Sequence, residues 1–284
     1  DIKHPIEKGF YQLMGGYFGD VCGSGNTIQI TMGKNEEKVL QRIADYCSEN
    51  FEKSTHKKAR TRVLQTATTS KINIVPQSAI QRISKYVDLS QKSHEKTISE
   101  KIFSLGLGEQ KYVLQGIFTT DGTVANYGEK SQYVALDSTS IELVKGVQVM
   151  LLGFGIKSKL YRNRRAGKLH SFLPDGKGGM KEYAVKEVHS LRISRSSRII
   201  FEQLIGFMPE SGKSAKLATL NATVTTYEDK PFDRVKSLEY FGEEKVYDLT
   251  EPFTNSFIAN GISVHNCSEY LFLDDTACNL ASIN

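Results

Sequence analysis

Cysteine is sparse in this chain: Cys22, Cys47, Cys267 and Cys278 are the four in 284 residues, and no two form a C-x-x-C pair. That excludes a disulfide scaffold and leaves no zinc-ligand spacing, so a reducing cytoplasm is the expected compartment. Long apolar runs are missing too. The longest stretch, Val149 to Ile156, falls far short of the roughly 20 residues needed to span a bilayer. The segment opening at Asp1 is polar and lacks a secretory apolar core, so no membrane partner is expected. Acidic residues are absent from Lys157 to Lys168, and basic residues are absent from the last eighteen positions.

At 39% hydrophobic and 24% charged residues, the composition is that of a globular protein with a sizeable core, and the length suggests about two domains. Collagen-like, coiled-coil and disordered classes are excluded. The net charge of +5 is unevenly spread: residues 236–266 carry −3 and residues 267–284 carry −3, leaving +11 on the first 235. A basic body with an acidic tail points to a polyanionic partner for the body and a separate role for the tail.

Phe10 to Asp20 (FYQLMGGYFGD) predicts a helix with glycines at 15, 16 and 19. Each interior glycine costs a helix about 1 kcal/mol relative to alanine, and close approach of another backbone is a reason to accept that cost. Asn26 to Met32 alternates as a strand, Glu36 to Phe51 has helical periodicity, basic strand-like sequence runs through Val75, and Pro76 opens a helix. The pattern then recurs. Gln110 to Asp121 is a second glycine-containing helix ending in aspartate. It is followed by a strand at Gln132–Leu136, a helix at Ile141–Leu152, basic strand-like sequence at Lys157–Arg164, a strand at Tyr183–Ile193 and a helix at Ser197–Phe207. The offset of 101 residues between Asp20 and Asp121 marks a duplicated domain rather than a solenoid. A loop at Met208–Ala215, a short helical remnant and short β segments at Thr223–Tyr227, Arg234–Tyr240, Lys245–Leu249 and Phe257–Val264 complete the pattern.

LMGGYFGDV (13–21) and LQGIFTTDG (114–122) align position by position, with glycine third and aspartate eighth. Two helices crossing at their small residues would bring both C-terminal aspartates together. Carboxylates there repel each other and the helix dipoles unless a cation lies between them. Oxygen donors with room for water suit Mg²⁺, and metal-assisted phosphodiester hydrolysis follows as the expected chemistry.

These segments resemble the paired motifs of the LAGLIDADG homing endonucleases. The resemblance implies an α+β fold, a tandem pseudo-twofold αββαββα arrangement with repeats at about 9–108 and 109–222, whose sheets sit over double-stranded DNA. It implies that Asp20 and Asp121 are catalytic metal ligands for Mg²⁺. Val21 departs from the usual ninth-position glycine, and Phe18 and Thr119 replace an earlier aspartate. The basic stretches are expected to contact DNA through Lys57, Lys58, Arg60 and Arg62 in the first half. In the second they are Lys157, Lys159, Arg162, Arg164 and Arg165, with Lys159 also the candidate lysine beside the metals.

The C-terminal string VYDLTEPFTNSFIANGISVHNC (246–267) carries different chemistry. An asparagine amide can attack its own main-chain carbonyl and sever the chain. A neighbouring imidazole assists by protonating the leaving amine, and a following thiol can take up an acyl group. The string resembles the C-terminal splicing motifs of inteins, which implies strands of a Hint-type splicing domain over 223–266. In that reading Asn266 cyclises, His265 assists, Asp248 tunes the reaction and Cys267 begins the flanking sequence. Asn255 stands where that family usually has histidine. The splicing block with the initial Cys or Ser is not seen before Asp20, so the chain is expected to be a C-terminal intein fragment that needs an N-terminal intein half with its extein. CSEYLFLDDTACNLASIN (267–284) resembles the ribonucleotide reductase large chain, adenosylcobalamin-dependent type, with Cys267 and Glu269 at its active-site C-x-E pair. The expectation is a monomeric DNA endonuclease with splicing chemistry in a reductase precursor. A DNA-binding domain that no longer cuts, or an inactive reductase fragment, is the alternative.

Overall fold

The computed structural model describes residues 5–19, 21–24, 27–51, 61–128, 131–164, 170–174, 179–184, 186–222, 237–240, 242–245, 254–259 and 262–265. The chain divides into two compact units, Asp1–Glu228 and Asp229–Asn284. Among the described residues, no helix is long and apolar enough to cross a membrane.

The first unit is α+β and built twice on one plan. The first copy runs α1 (Lys8–Phe18), β1 (Val21–Ser24), β2 (Thr27–Gly33), a 3₁₀ turn (Lys34–Glu36), α2 (Glu37–Asn50), β3 (Val63–Gln65), β4 (Thr69–Ile74) and α3 (Gln77–Ile83). A connector with the short α4 (Glu100–Phe103) leads to the second copy: α5 (Leu107–Asp121), β5 (Gly122–Asn126), β6 (Gln132–Ser138), α6 (Ile141–Leu152), β7 (Lys159–Tyr161), β10 (His189–Ser194) and α7 (Ser196–Leu204). A hairpin of β8 (His170–Pro174) and β9 (Met180–Ala184) is inserted between β7 and β10, and α8 (Gly212–Asn221) follows α7.

The two four-stranded sheets have the same antiparallel order, β1-β2-β4-β3 and β5-β6-β10-β7. Period-two alternation buries one face of the first sheet, while β6 and β10 at the centre of the second each bury three residues in a row. Ile28, Ile30 and Met32 on β2 lie in register with Ile74, Ile72 and Ser70 on β4, while Val134 and Leu136 on β6 pair with Ile193 and Leu191 on β10. Helix α2 lies against the first sheet with Val39, Leu40, Ile43, Ala44 and Cys47 inward, the helical period that an apolar stripe requires. Both copies share one core through α1 and α5, which pack side by side.

Several segments differ from the sequence expectation. Tyr183–Ile193 is not one strand, because β9 ends at Ala184 and β10 begins at His189. Helix α8 starts at Gly212, inside the expected loop, where Ser211 caps it by accepting from Lys213 N–H. Strands β1 and β5 had no signal, since glycine and polar residues follow each motif helix. In the second unit, Phe257–Val264 is two strands, β11 (Ser256–Ala259) and β12 (Ile262–His265), paired antiparallel with Ser256 opposite His265. The segments expected at Thr223–Tyr227 and Lys245–Leu249 lie wholly or mostly outside the described residues. The described residues 237–240 carry no strand.

Candidate metal centre and nucleic-acid interface

Helices α1 and α5 cross with almost nothing between their backbones. A Cβ on Gly15 would lie 2.0 Å from Val113 O, and one on Gly116 would lie 2.2 Å from Gln12 O. Only glycine fits at these third motif positions, so the helical cost of those glycines is offset by close packing. Lower down, the space at Gly19 is filled by Thr120 Oγ1 at 2.2 Å and Asp121 Cβ at 3.2 Å from an added Cβ. Asp121 is the last residue of α5, and Gly122 turns the chain into β5 where a Cβ would meet Phe118 O at 2.3 Å. The crossing therefore brings the end of α1 against Asp121. Asp20 itself lies outside the described residues.

Each helix end is capped by a lysine. Lys96, buried, donates from Nζ to Tyr17 O at 2.8 Å and Gly19 O at 3.2 Å, and sits 4.8 Å from the Tyr17 ring centroid. Burial pushes the Tyr17 phenol up to about 12, and its hydroxyl donates to Asp88 O. Lys213 mirrors this on α5, donating from Nζ to Thr119 O at 2.6 Å. A cation at a helix C-terminus complements the dipole and satisfies orphan carbonyls. Burial lowers the Lys213 pKa, and the nearby Glu36 and Asp121 charges oppose that shift.

Glu36 completes this end. The residue is 3% exposed, and among the described residues neither carboxylate oxygen has a hydrogen-bond partner. It lines a cavity of about 180 Å³ with Asn35, Thr120, Gly122, Lys213 and Lys216 among its walls. A buried carboxylate without hydrogen bonds is costly. Asp121 is not among the walls of that cavity; at the end of α5 its carboxylate is a hard oxygen donor of the kind a divalent cation such as Mg²⁺ takes in small number. Among the described residues no cluster of three or more His, Cys, Asp or Glu occurs.

The open sheet faces carry polar and cationic side chains. Gln29 pairs with Asn73 and Thr31 with Lys71 in the first sheet. In the second, Arg192 lies between two aromatic rings, 4.1 Å from the Tyr133 centroid and 4.7 Å from that of Tyr161. Lys159 is opposite Arg192 in the register, with Nζ 5.3 Å from the Tyr161 centroid. Guanidinium held between rings is pre-oriented, and such a surface suits phosphates and base edges.

The expected site residues thus separate. Lys159 belongs to the sheet face and not to the helix ends, because β7 is the strand next to β10 at the sheet edge; the lysines at the helix ends are Lys96 and Lys213. Neither had a sequence signal, since each lies far along the chain from the carbonyls it caps, and Glu36 resembled an ordinary first-turn acid. Arg62 is exposed just before β3, and Arg162 and Arg164 are exposed after β7. Lys157 N–H donates to Ser197 Oγ at 3.2 Å. Lys57, Lys58, Arg60, Arg165, Asp248, Asn266, Cys267 and Glu269 lie outside the described residues. The backbone of His265 closes β12, while its side chain is outside them. Asn255 precedes β11 with φ 49°.

Residues 108–206, the second copy, match the family described as LAGLIDADG-like domain. Over 215 residues the chain is 34% identical to the ribonucleoside-diphosphate reductase NrdEB subunit alpha of Bacillus subtilis, covering 68% of this chain and 20% of that protein. It is 26% identical over 250 residues to a DNA polymerase of Thermococcus kodakarensis, covering 84% of this chain and 13% of that protein. The chain therefore spans a fifth or less of the length of these curated relatives. Among solved structures, I-DmoI in complex with DNA and Ca aligns over 76% of this chain and 98% of its own, at 13% identity and a TM-score of 0.49.

Proposed function

We propose that the first unit is a metal-dependent endonuclease for double-stranded DNA, carried as an insertion within a ribonucleotide reductase large chain. The observation that carries this reading is the pair of motif helices crossing at Gly15 and Gly116, with a lysine on each helix end and Asp121 at the crossing's base. Asp20 and Asp121 would hold Mg²⁺. A divalent cation there would supply a water nucleophile and steady the leaving oxygen. Lys213 and Lys96 hold positive charge where phosphate oxygens gain negative charge, and Arg192, Lys159, Lys71 and the neighbouring amides orient the duplex across the sheets. Two copies in one chain make a complete pair of centres, so a monomer suffices. A reductase and a polymerase share no activity; similarity to parts of both fits a segment that moves between hosts.

The C-terminal reading keeps its basis in residues 246–267. Asn266 would cyclise with help from His265 and Asp248, freeing Cys267 for ligation, once an N-terminal intein half is supplied. The joined reductase, not this chain, would use Cys267, Glu269 and adenosylcobalamin, and the cytoplasm is its proposed compartment.

The test is cleavage of DNA spanning the uninterrupted host gene, with and without Mg²⁺. Cutting that needs Mg²⁺ and is abolished by Asp20→Asn or Asp121→Asn supports the reading; binding without cutting favours a degenerate endonuclease. Mixing with the N-terminal half under reducing conditions should yield a ligated product that Asn266→Ala prevents.

A further inference from the structure

The two copies differ at one joint. The first closes its third and fourth strands with the turn at 66–68, whereas the second carries the β8–β9 ribbon between β7 and β10. The first copy shows that the sheet folds without such an insertion, so the ribbon is not needed to complete it. Nor does the ribbon bury an apolar face of its own. Phe172 is 65% and Met180 62% exposed, and every residue of β9 is exposed. Register puts Phe172 opposite Glu182, and Met180 lies two places along from Glu182. His170, Phe172, Met180, Glu182 and Ala184 therefore share one face. Ser171, Lys181 and Tyr183 share the other, where Lys181 Nζ stands 6.0 Å from the Tyr183 ring centroid. A lone two-stranded ribbon is at best marginally stable in water, and neighbouring exposed apolar side chains on one mark a place for a partner.

The surrounding charge selects the partner. Residues 157–188 hold nine lysines and arginines against three acids, a net of +6. Arg162 and Arg164 precede the ribbon in the chain and Lys186 follows it, all three exposed. A cationic ribbon with an apolar face fits a partner that is anionic along its backbone and apolar within a groove. We propose that the β8–β9 ribbon enters the major groove of duplex DNA beside the cleavage site and seats Phe172 and Met180 against thymine methyl groups. The assignment rests on the nuclease reading and deepens it by naming what this insertion recognises. The major groove, about 12 Å wide, admits a two-stranded ribbon, and the minor groove, about 6 Å wide, is too narrow for one. The thymine C5 methyl is the apolar group on the major-groove edges, and phenylalanine is among the side chains that contact it. Glu182, on the same face, agrees with that seat. Phosphates repel a carboxylate, whereas the cytosine amino group on a major-groove edge donates to it. Lys181 on the opposite face and the flanking bases are left for phosphates.

The experiment uses the full chain and duplexes spanning the uninterrupted host gene, with affinity read by fluorescence anisotropy. The variant is Phe172→Ser with Met180→Ser. Both side chains are exposed, so its melting temperature should stay within about 2 °C of the parent. Should the double variant melt lower, Phe172→Ser alone carries the same test. The variant should bind roughly tenfold or more weakly, with an unchanged salt slope because no phosphate contact is lost. Thymine is then replaced by uracil, which lacks only the methyl group, on one side of the cut at a time. On one side the parent should lose about fourfold per methyl contact, and the variant should lose nothing further there. On the other side parent and variant should respond alike. Equal affinity of parent and variant, or uracil effects that the variant retains on both sides, overturns the assignment and leaves the nuclease reading intact. DNA affinity kept while ligation with the N-terminal intein half is lost gives the ribbon to a protein partner and overturns it too. A parent chain that binds no duplex defeats both readings, while one that binds through the ribbon yet cuts nothing defeats the nuclease reading alone.

Discussion

Gly15 and Gly16 are neighbours on one helix, yet alanine should have opposite effects at the two. At Gly15 the new methyl would stand 2.0 Å from Val113 O and 3.1 Å from Gly116 Cα, backbone atoms that cannot rotate away. The helices must separate by about 1 Å or more to restore ordinary contact, and overpacking of this kind costs about 1–3 kcal/mol or more. Helix propensity offsets about 1 kcal/mol of that. At Gly16 the nearest atoms, Ile30 Cδ1 and Thr120 Cγ2, would both be at 3.5 Å, an ordinary contact, so the propensity gain remains. A unit of this size shifts by roughly 2–4 °C per kcal/mol. In calorimetric unfolding Gly15→Ala should melt several degrees below the parent and Gly16→Ala level with it or up to about 4 °C above. Finding Gly15→Ala at least as stable as Gly16→Ala would refute the backbone-contact argument, and with it the geometry that brings the helix ends together.

Gln115→Leu should destabilise by about 1–3 kcal/mol in urea unfolding, since it strands the Gln12 amide, which donates to Gln115 Oε1 at 2.6 Å, and the Ile205 carbonyl. Lys213→Met should leave a nicked product on gels, because it strips the charge from one helix end only. Arg192→Ala should weaken DNA binding and lower the salt slope by about 1, measured by fluorescence anisotropy across salt concentrations. The hydrogen bonds from Arg82 hold Glu7 below the ordinary 4.5, against the opposing effect of burial. A depressed carboxylate contributes stability fully above its unfolded pKa and loses it as pH falls through its folded pKa. Glu7→Gln should therefore cost little below that range and most near neutrality. The cost should be no more than about 1 kcal/mol because the pair is partly exposed.

Much of the architecture was legible because periodicity reports burial. The alternation around Ile28, Ile30 and Met32, the stripe from Val39 to Cys47 and the helix at Ile141–Leu152 all gave their elements directly. The glycines at 15 and 116 signalled a close crossing, as the structure bears out. What escaped was non-local. Lys96 and Lys213 act on carbonyls dozens of residues away, and Glu36 crosses from one copy to the other, so no window of sequence contains the contact. The edge strand β5 buries only Gly122 and Ala125, too irregularly spaced to leave a pattern.

The third and fourth strands are joined very differently in the two copies. Between β3 and β4 the chain turns within 66–68, cinched by Thr66 N–H to Thr69 O at 2.8 Å. Between β7 and β10 it takes the whole of 162–188 and carries the β8–β9 ribbon, whose five-residue strands reach about 16 Å at roughly 3.3 Å per residue. A DNA duplex bound as proposed above would meet a short arm on one side and a long one on the other. The preferred site should accordingly be lopsided, with tolerance to change falling off at different distances left and right of the cut.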